Sequence, residues 1–135
     1  MNKVGLISCV SLKQNKKCLA KDMYISSLFK KSQAFVNKYY DDYYILSAKY
    51  GLVSKDQQIK PYDLTLNNLS KVKRELWSVL VAKQIKEKIV KEDELFILAG
   101  ANYYKDLLKY LQNKTNIIME GLPIGKRLQF LNNNI

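Results

Sequence analysis

The sequence contains no histidine. That absence removes imidazole as a general acid or base, and with it Ser-His-Asp and Cys-His nucleophilic systems. Every histidine-ligated metal centre goes too. The two cysteines, Cys9 and Cys18, are too few for a structural zinc site without histidine beside them. Two cysteines in a chain of cytosolic character do not argue for a disulfide framework either. No metal and no cofactor is expected, and any catalysis must run on Lys, Tyr, Ser, Cys, Asp or Glu. Proline (two) and glycine (five) are sparse, and no linker rich in Pro, Gly or Ser, no internal repeat and no second domain is visible. No apolar run approaches the roughly 18 residues of a membrane span, and the opening MNKVGLISCVSLK lacks a signal-peptide cleavage pattern. A length of 135 residues with 47% apolar composition fits one globular domain over 1–135, without membrane association and cytoplasmic.

Arginine is scarce as well: Arg74 and Arg127 are the only two among 23 basic residues, set against 12 acidic ones for a net charge of +11. Residues 1–40 carry eight lysines and one acid, Asp22. Such a field steers phosphate-rich partners and gains from counterion release. Specific base reading leans on arginine, so a lysine-dominated surface points to phosphate contact instead. An AT-rich coding sequence also enriches lysine and asparagine, so charge alone does not decide the matter.

Apolar periodicity alternates between strand and helix. Val4–Val10, Tyr43–Ala48, Leu95–Ala99 and Asn116–Met119 read as buried strands. Helices are expected over Met23–Tyr39 with Asp22 as N-cap, over Lys71–Val90 with Ser70 as N-cap, over Tyr103–Gln112, and from Ile124 or Gly125 to Asn132–Asn134. In the second of these, Val72, Leu76, Val79, Leu80, the stem of Lys83 and Ile85 form the expected buried stripe. Residues 52–69, with Pro61, read as an irregular surface excursion. Strands joined by helices need crossover connections. The expected fold is therefore α/β, a Rossmann-like three-layer αβα domain with a mostly parallel four-stranded sheet.

In such a sheet, ligands bind beyond the carboxyl ends of the strands. Those ends carry Ser8, Cys9, Ser11 and Lys13 after the first strand, Ser47, Lys49, Tyr50 and Gly51 after the second, Gly100 after the third, and Glu120 after the fourth. Together they predict a cationic cleft with one carboxylate, suited to an anionic or nucleotide-like ligand. Each residue also has an ordinary structural role open to it. Cys9 can be a small buried hydrophobe, Lys13 and Lys49 surface charges, Glu120 a helix cap, and the glycines turn residues.

The string Tyr44–Val53 (YILSAKYGLV) followed by Pro61–Leu66 (PYDLTL) resembles a family of small bacterial and phage proteins of unknown function that read ILSAKHGLL…PYDxTL. The opening from Cys9 to Lys13, the stretch Ala20–Phe29 and the closing GLPIGKRLQFL at Gly121–Leu131 resemble it too. That family in turn looks like a compact relative of the YaaA-like peroxide-stress proteins. The resemblance implies an α/β fold with a positively charged cleft, nucleic-acid binding and a role in limiting oxidative DNA damage. The chain lacks most of the larger relatives' length. The Cys-x-x-x-Lys opening is also similar to one in archaeosine synthase, where the lysine is the nucleophile on a modified tRNA base, but the downstream Pro-Tyr-Ser and His of that enzyme are missing here.

Three functions follow as expectations. The first is a nucleic-acid-associated protein, for DNA or RNA, in which Lys13, Lys49, Lys126 and Arg127 contact phosphates while Tyr50 or Tyr62 stacks on a base. The second is an enzyme acting on a nucleoside, nucleotide or modified base, with Lys13 or Lys49 as nucleophile and Glu120 or Asp63 as acid or base. The third is an interaction protein of phage or defence biology with a vestigial pocket.

Overall fold

The computed structural model describes residues 1–8 and 13–135. In chain order the elements are β1 (Lys3–Ser8), β2 (Cys18–Leu19), α1 (Ala20–Met23), α2 (Ser27–Tyr39), β3 (Asp42–Ser47), β4 (Gly51–Ser54), β5 (Gln58–Ile59), α3 (Lys71–Lys88), β6 (Glu94–Leu98), α4 (Ala101–Tyr104), β7 (Thr115–Ile117) and α5 (Ile124–Asn134). Two 3-10 turns, Leu66–Asn68 and Leu107–Tyr110, precede α3 and β7. Among the described residues the main sheet has five strands in the order β4-β3-β1-β6-β7. β3, β1, β6 and β7 run parallel, and β4 returns antiparallel along β3.

This is the mixed α/β, mostly parallel arrangement that the alternation of strand and helix predicts. It has one strand more than expected. Leu52 and Val53 lie in β4 and are buried, so the segment read as irregular begins with a hairpin strand. Further along that segment Gln58–Ile59 pairs with Cys18–Leu19 as a separate two-stranded ribbon. The short apolar run after Gly51 carried the signal, but its length hid it beside Pro61.

Strand side chains alternate between two cores. Val4, Leu6, Leu46, Leu95 and Ile97 pack with Trp77, Val81 and Ile85 of α3. Ile7, Tyr43, Ile45 and Leu98 pack with Phe29, Phe35 and Val36 of α2 and Leu131 of α5. Burial on both faces explains why these strands read as continuous apolar runs. Gly5 permits the close approach of α2 to β1: a Cβ there would lie 2.7 Å from Val36 Cγ1.

Several helix boundaries differ from the sequence reading. Asp22 falls inside the short α1, the chain then extends, and Ser26 is the N-cap of α2, its Oγ accepting from Phe29 N at 3.2 Å. Ser70 does cap α3, accepting from Lys73 N at 3.2 Å. The buried face of α3 differs from the expected stripe, however, apart from Ile85, which is buried as expected. Trp77, Ser78, Val81, Ala82 and Ile85 point inward, whereas Val72, Leu76, Val79 and Leu80 are exposed. The indole decides this, since its Nε1 donates to Ser47 O at 2.9 Å while its ring lies edge-on to Tyr103. The expected helix over 103–112 is split into α4 and a 3-10 turn. The last strand stops at Ile117, and Met119 has a φ of 63°. The end of the first expected strand, Cys9 and Val10, lies outside the described residues. Among the described residues, no helix is long and apolar enough to cross a membrane.

Gly51 opens β4 at a φ of 76°, and a Cβ there would meet Gln84 Oε1, the atom that accepts from Leu52 N at 2.8 Å. Replacing Gly51 with Ala imposes a left-handed backbone on an L side chain and displaces that acceptor. The two effects together should cost about 2–3 kcal/mol. Urea denaturation of G51A checks this, and a loss under about 0.5 kcal/mol would show that the turn tolerates a side chain.

Candidate functional site

The order β3-β1-β6 means that the chain leaves β1 towards one sheet edge and later crosses to its other side. Strand ends diverge at such a switch point, and helices from opposite faces leave a crevice there. A cavity of about 370 Å³ occupies that position, within the range usual for small-molecule sites. Ser8 at the end of β1 and Leu98, Ala99 and Gly100 at the end of β6 form its floor. The first turn of α2 brings Ser26, Ser27, Leu28 and Phe29, with Ser32 one turn on. Ile118 and Met119 follow β7, and α5 supplies Ile124, Arg127 and Leu128. Asn67 and Tyr103 complete the wall.

The lining divides chemically. Leu98, Phe29, Tyr103, Ile118 and Met119 supply apolar surface. Serine hydroxyls, Asn67 and the Arg127 guanidinium supply polar groups. Arg127 Nε donates to Leu122 O at 2.8 Å, which fixes the plane of the guanidinium. Asn67 Oδ1 accepts from Asn102 Nδ2 at 2.7 Å, which orients its amide. Among the described residues no side chain caps the start of α5 after Pro123, where the helix dipole favours an anion beside the Arg127 guanidinium. Met119, a non-glycine residue held in the left-handed region, is local strain at the cavity wall. Strain of this kind clusters at functional sites.

A second group adjoins the cavity through Phe29, whose ring lies 4.9 Å from that of Tyr24. The Tyr24 and Tyr62 hydroxyls share a 2.6 Å hydrogen bond. Ser47 Oγ donates to Tyr62 Oη at 3.0 Å and accepts from Tyr50 N at 3.0 Å. Lys13, bridged to Tyr24 through the backbone, holds its Nζ 4.7 Å from the Tyr62 ring centre and 6.0 Å from that of Tyr24. The Tyr50 ring stands edge-on to Tyr62.

The expected single cleft is therefore two adjoining groups. Ser8, Gly100 and Arg127 line the cavity, while Lys13, Ser47, Tyr50 and Tyr62 form the tyrosine cluster. Lys49 is exposed at the cluster's rim, 5.4 Å from the Tyr50 ring centre. Asp63, Glu120 and Lys126 are exposed and do not line the cavity. Gly51 faces Gln84 of α3 instead. Cys9 and Ser11 lie outside the described residues. Cys18 is half-buried, and burial pushes its thiol up, with Asp22 adding to the rise and Lys16 opposing it; this disfavours the thiolate. Sequence reasoning missed Tyr24, Ser26, Ser27, Ser32 and Asn67, whereas the Tyr103-Tyr104 pair reads from sequence as a candidate stacking platform. The small-residue run Ser26-Ser27 ahead of an apolar helix was the available signal for the first turn of α2. Among the described residues no group of three or more His, Cys, Asp or Glu is placed to hold a metal ion.

The sequence profile of a family of unknown function, DUF6884, matches residues 4–133. The chain belongs to this family. The match embraces both groups, so the cavity and the tyrosine cluster lie within the DUF6884 domain. No curated protein matches the sequence.

Tyr24 and Ser47 are 1% and 0% exposed, so the Tyr62 hydroxyl satisfies buried polar atoms. Tyr62→Phe should lower stability by about 1–2 kcal/mol, and the double variant Tyr24→Phe/Tyr62→Phe should cost clearly less than the sum of the singles. Additive losses in a urea-denaturation cycle would show that the two hydroxyls are independent.

Proposed function

We propose that this DUF6884 protein is a nucleic-acid-associated protein that receives one unstacked nucleotide in the β1/β6 cavity. The observation that carries the reading is the cavity's divided lining. Apolar side chains and serine hydroxyls there lie beside Arg127 and the start of α5, where a phosphate would be stabilised by charge and by N–H groups. Lys126, exposed in the same helical turn, and Lys13 and Lys49 at the tyrosine cluster extend the cationic surface for flanking phosphates. The net charge of +11 and the resemblance to YaaA-like proteins support the same reading. A DNA-protective role would follow from the latter.

A second reading has one specific observation behind it. The hydrogen-bonded line Ser47–Tyr62–Tyr24 beside Lys13 connects to the cavity wall through the Tyr24–Phe29 ring contact. In an enzyme acting on a nucleoside, nucleotide or modified base, these hydroxyls would move protons while Lys13 supplies positive charge or a nucleophilic amine. Asp63 and Glu120 would have to approach from outside the cavity to serve as acid or base.

Fluorescence anisotropy with labelled single-stranded DNA, single-stranded RNA and duplex DNA across a salt series tests the proposal. Single strands should bind more tightly than duplex, because a stacked base cannot enter the cavity. Arg127→Ala should weaken single-strand binding about tenfold or more, the scale of one charge-assisted contact. The pair Lys13→Ala/Lys49→Ala should lower the log–log salt slope by about 1.4 on single strands. Duplex-preferring binding that ignores Arg127→Ala would overturn the cavity reading. Saturable, weakly salt-dependent binding of free mononucleotides without strand binding would select the enzyme.

A further inference from the structure

The outer face of α3 is apolar where a solvent face is ordinarily polar. Val72, Leu76, Val79 and Leu80 are 70, 65, 46 and 48% exposed, and the same helix already buries Trp77, Val81 and Ile85 on its inner face. These residues form one stripe about 12 Å long at 1.5 Å per residue. Their spacing is informative. Val72, Leu76, Val79 and Lys83 follow steps of four, three and four, with Leu80 beside them, the pattern of a helix that packs against another helix. Folding of this domain does not need that stripe, since the sheet is already covered by the opposite face of α3.

The charges around the stripe select its occupant. Lys73, Lys83 and Lys86 are exposed on α3. The acid on one flank, Glu75, is engaged by Lys109 at 3.3 Å and by the Tyr110 hydroxyl, which leaves Glu87 as the exposed acid of the helix. A second copy would bring lysine-rich helices, and two molecules of +11, into contact, which like-charge repulsion opposes. An anionic membrane would match the lysines, but interfacial helices typically add Trp or Phe to the apolar face. Here the one tryptophan, Trp77, points inward. We infer that the outer face of α3 docks an amphipathic helix of another protein, one with an aliphatic stripe flanked by Asp or Glu. This surface is independent of the nucleotide cavity, to which α3 contributes no lining residue among those described.

The test uses the full chain and a synthetic 21-residue peptide with Leu and Ile at heptad core positions and Glu at the flanking ones. A peptide with Lys in place of Glu is the control. Isothermal titration should show binding of the acidic peptide at micromolar concentrations, at least tenfold tighter than the basic one. The neutral variant Leu76→Gln/Leu80→Gln should weaken acidic-peptide binding at least tenfold while leaving net charge, thermal unfolding and nucleotide binding unchanged. Acidic-peptide binding that survives this variant would mean charge attraction without docking and overturn the inference. Absence of acidic-peptide binding would overturn it too. So would a concentration-dependent dimer in sedimentation, or binding to phosphatidylserine-containing vesicles, if either is abolished by the same variant.

Discussion

Strand β1 has to be buried on both faces, and the rest of the architecture follows from how that is achieved. Its neighbours β3 and β6 are both parallel to it, so neither can be reached by a hairpin and each demands a crossover. Right-handed crossovers that move in opposite directions place their helices on opposite faces of the sheet. α2, on the way to β3, packs against Ile7 and Ile45. α3, on the way to β6, packs against Leu6 and Leu46. Gly5 then allows α2 to seat directly on β1, where any larger residue would meet Val36 and Tyr40. The crevice at the ends of β1 and β6 is a consequence of this arrangement, because the two connections depart to opposite sides. The cavity sits where topology left an opening.

Ser47 carries the connection between that opening and the far core. Its carbonyl accepts from Trp77 of α3, and its hydroxyl is shared between Tyr62 and the Tyr50 amide. One fully buried residue at the end of β3 thereby ties together a helix on one face, the turn leading into β4 and the segment after β5. Small hydroxyl residues suit this role, since they satisfy several polar groups without occupying the volume of the core. Tyr24 passes the connection on to Phe29 at the cavity wall through ring contact. The tyrosine cluster is therefore structural: through Tyr24 it supports Phe29 of the cavity wall, and it holds Lys13 over the Tyr62 ring.

What could be read from the sequence depended on how long each signal was. The runs in β1, β3 and β6 and the Ser70 cap of α3 were legible because apolar content and cap chemistry agree there. β4 was not, since three or four residues after a glycine do not form a period. The face of α3 was misread for a different reason. Counting aliphatic residues favours the stripe of Val72, Leu76, Val79, Leu80 and Ile85, of which the structure buries Ile85, whereas one indole with a buried N–H partner outweighs several aliphatics. At the site, sequence reasoning found residues with recognisable chemistry, such as Ser8, Lys13, Tyr62 and Arg127. It passed over Ser26, Ser27, Ser32 and Asn67, whose contribution comes from position alone.

The misreading of α3 is itself informative, because the pattern was real and only its assignment was wrong. Four aliphatic residues at helix-packing intervals are ordinarily kept by a core, and here the core is supplied by the other face. Exposed apolar stripes oppose solubility and lend nothing to a fold that does not cover them. The domain offsets that tendency with a high net positive charge, and the lysines around the stripe bear on which molecule can cover it. Since α3 lies against one face of the sheet while the cavity opens at the strand ends beside α2 and α5, an occupant on the stripe and a ligand in the cavity do not compete for space. The fold thus presents two surfaces of different chemistry, a concave cavity lined by serine hydroxyls, apolar side chains and one guanidinium, and a convex apolar stripe on α3. Trp77 donating to Ser47 O, and Gln84 donating to Tyr50 O, connect α3 to the tyrosine cluster beside the cavity.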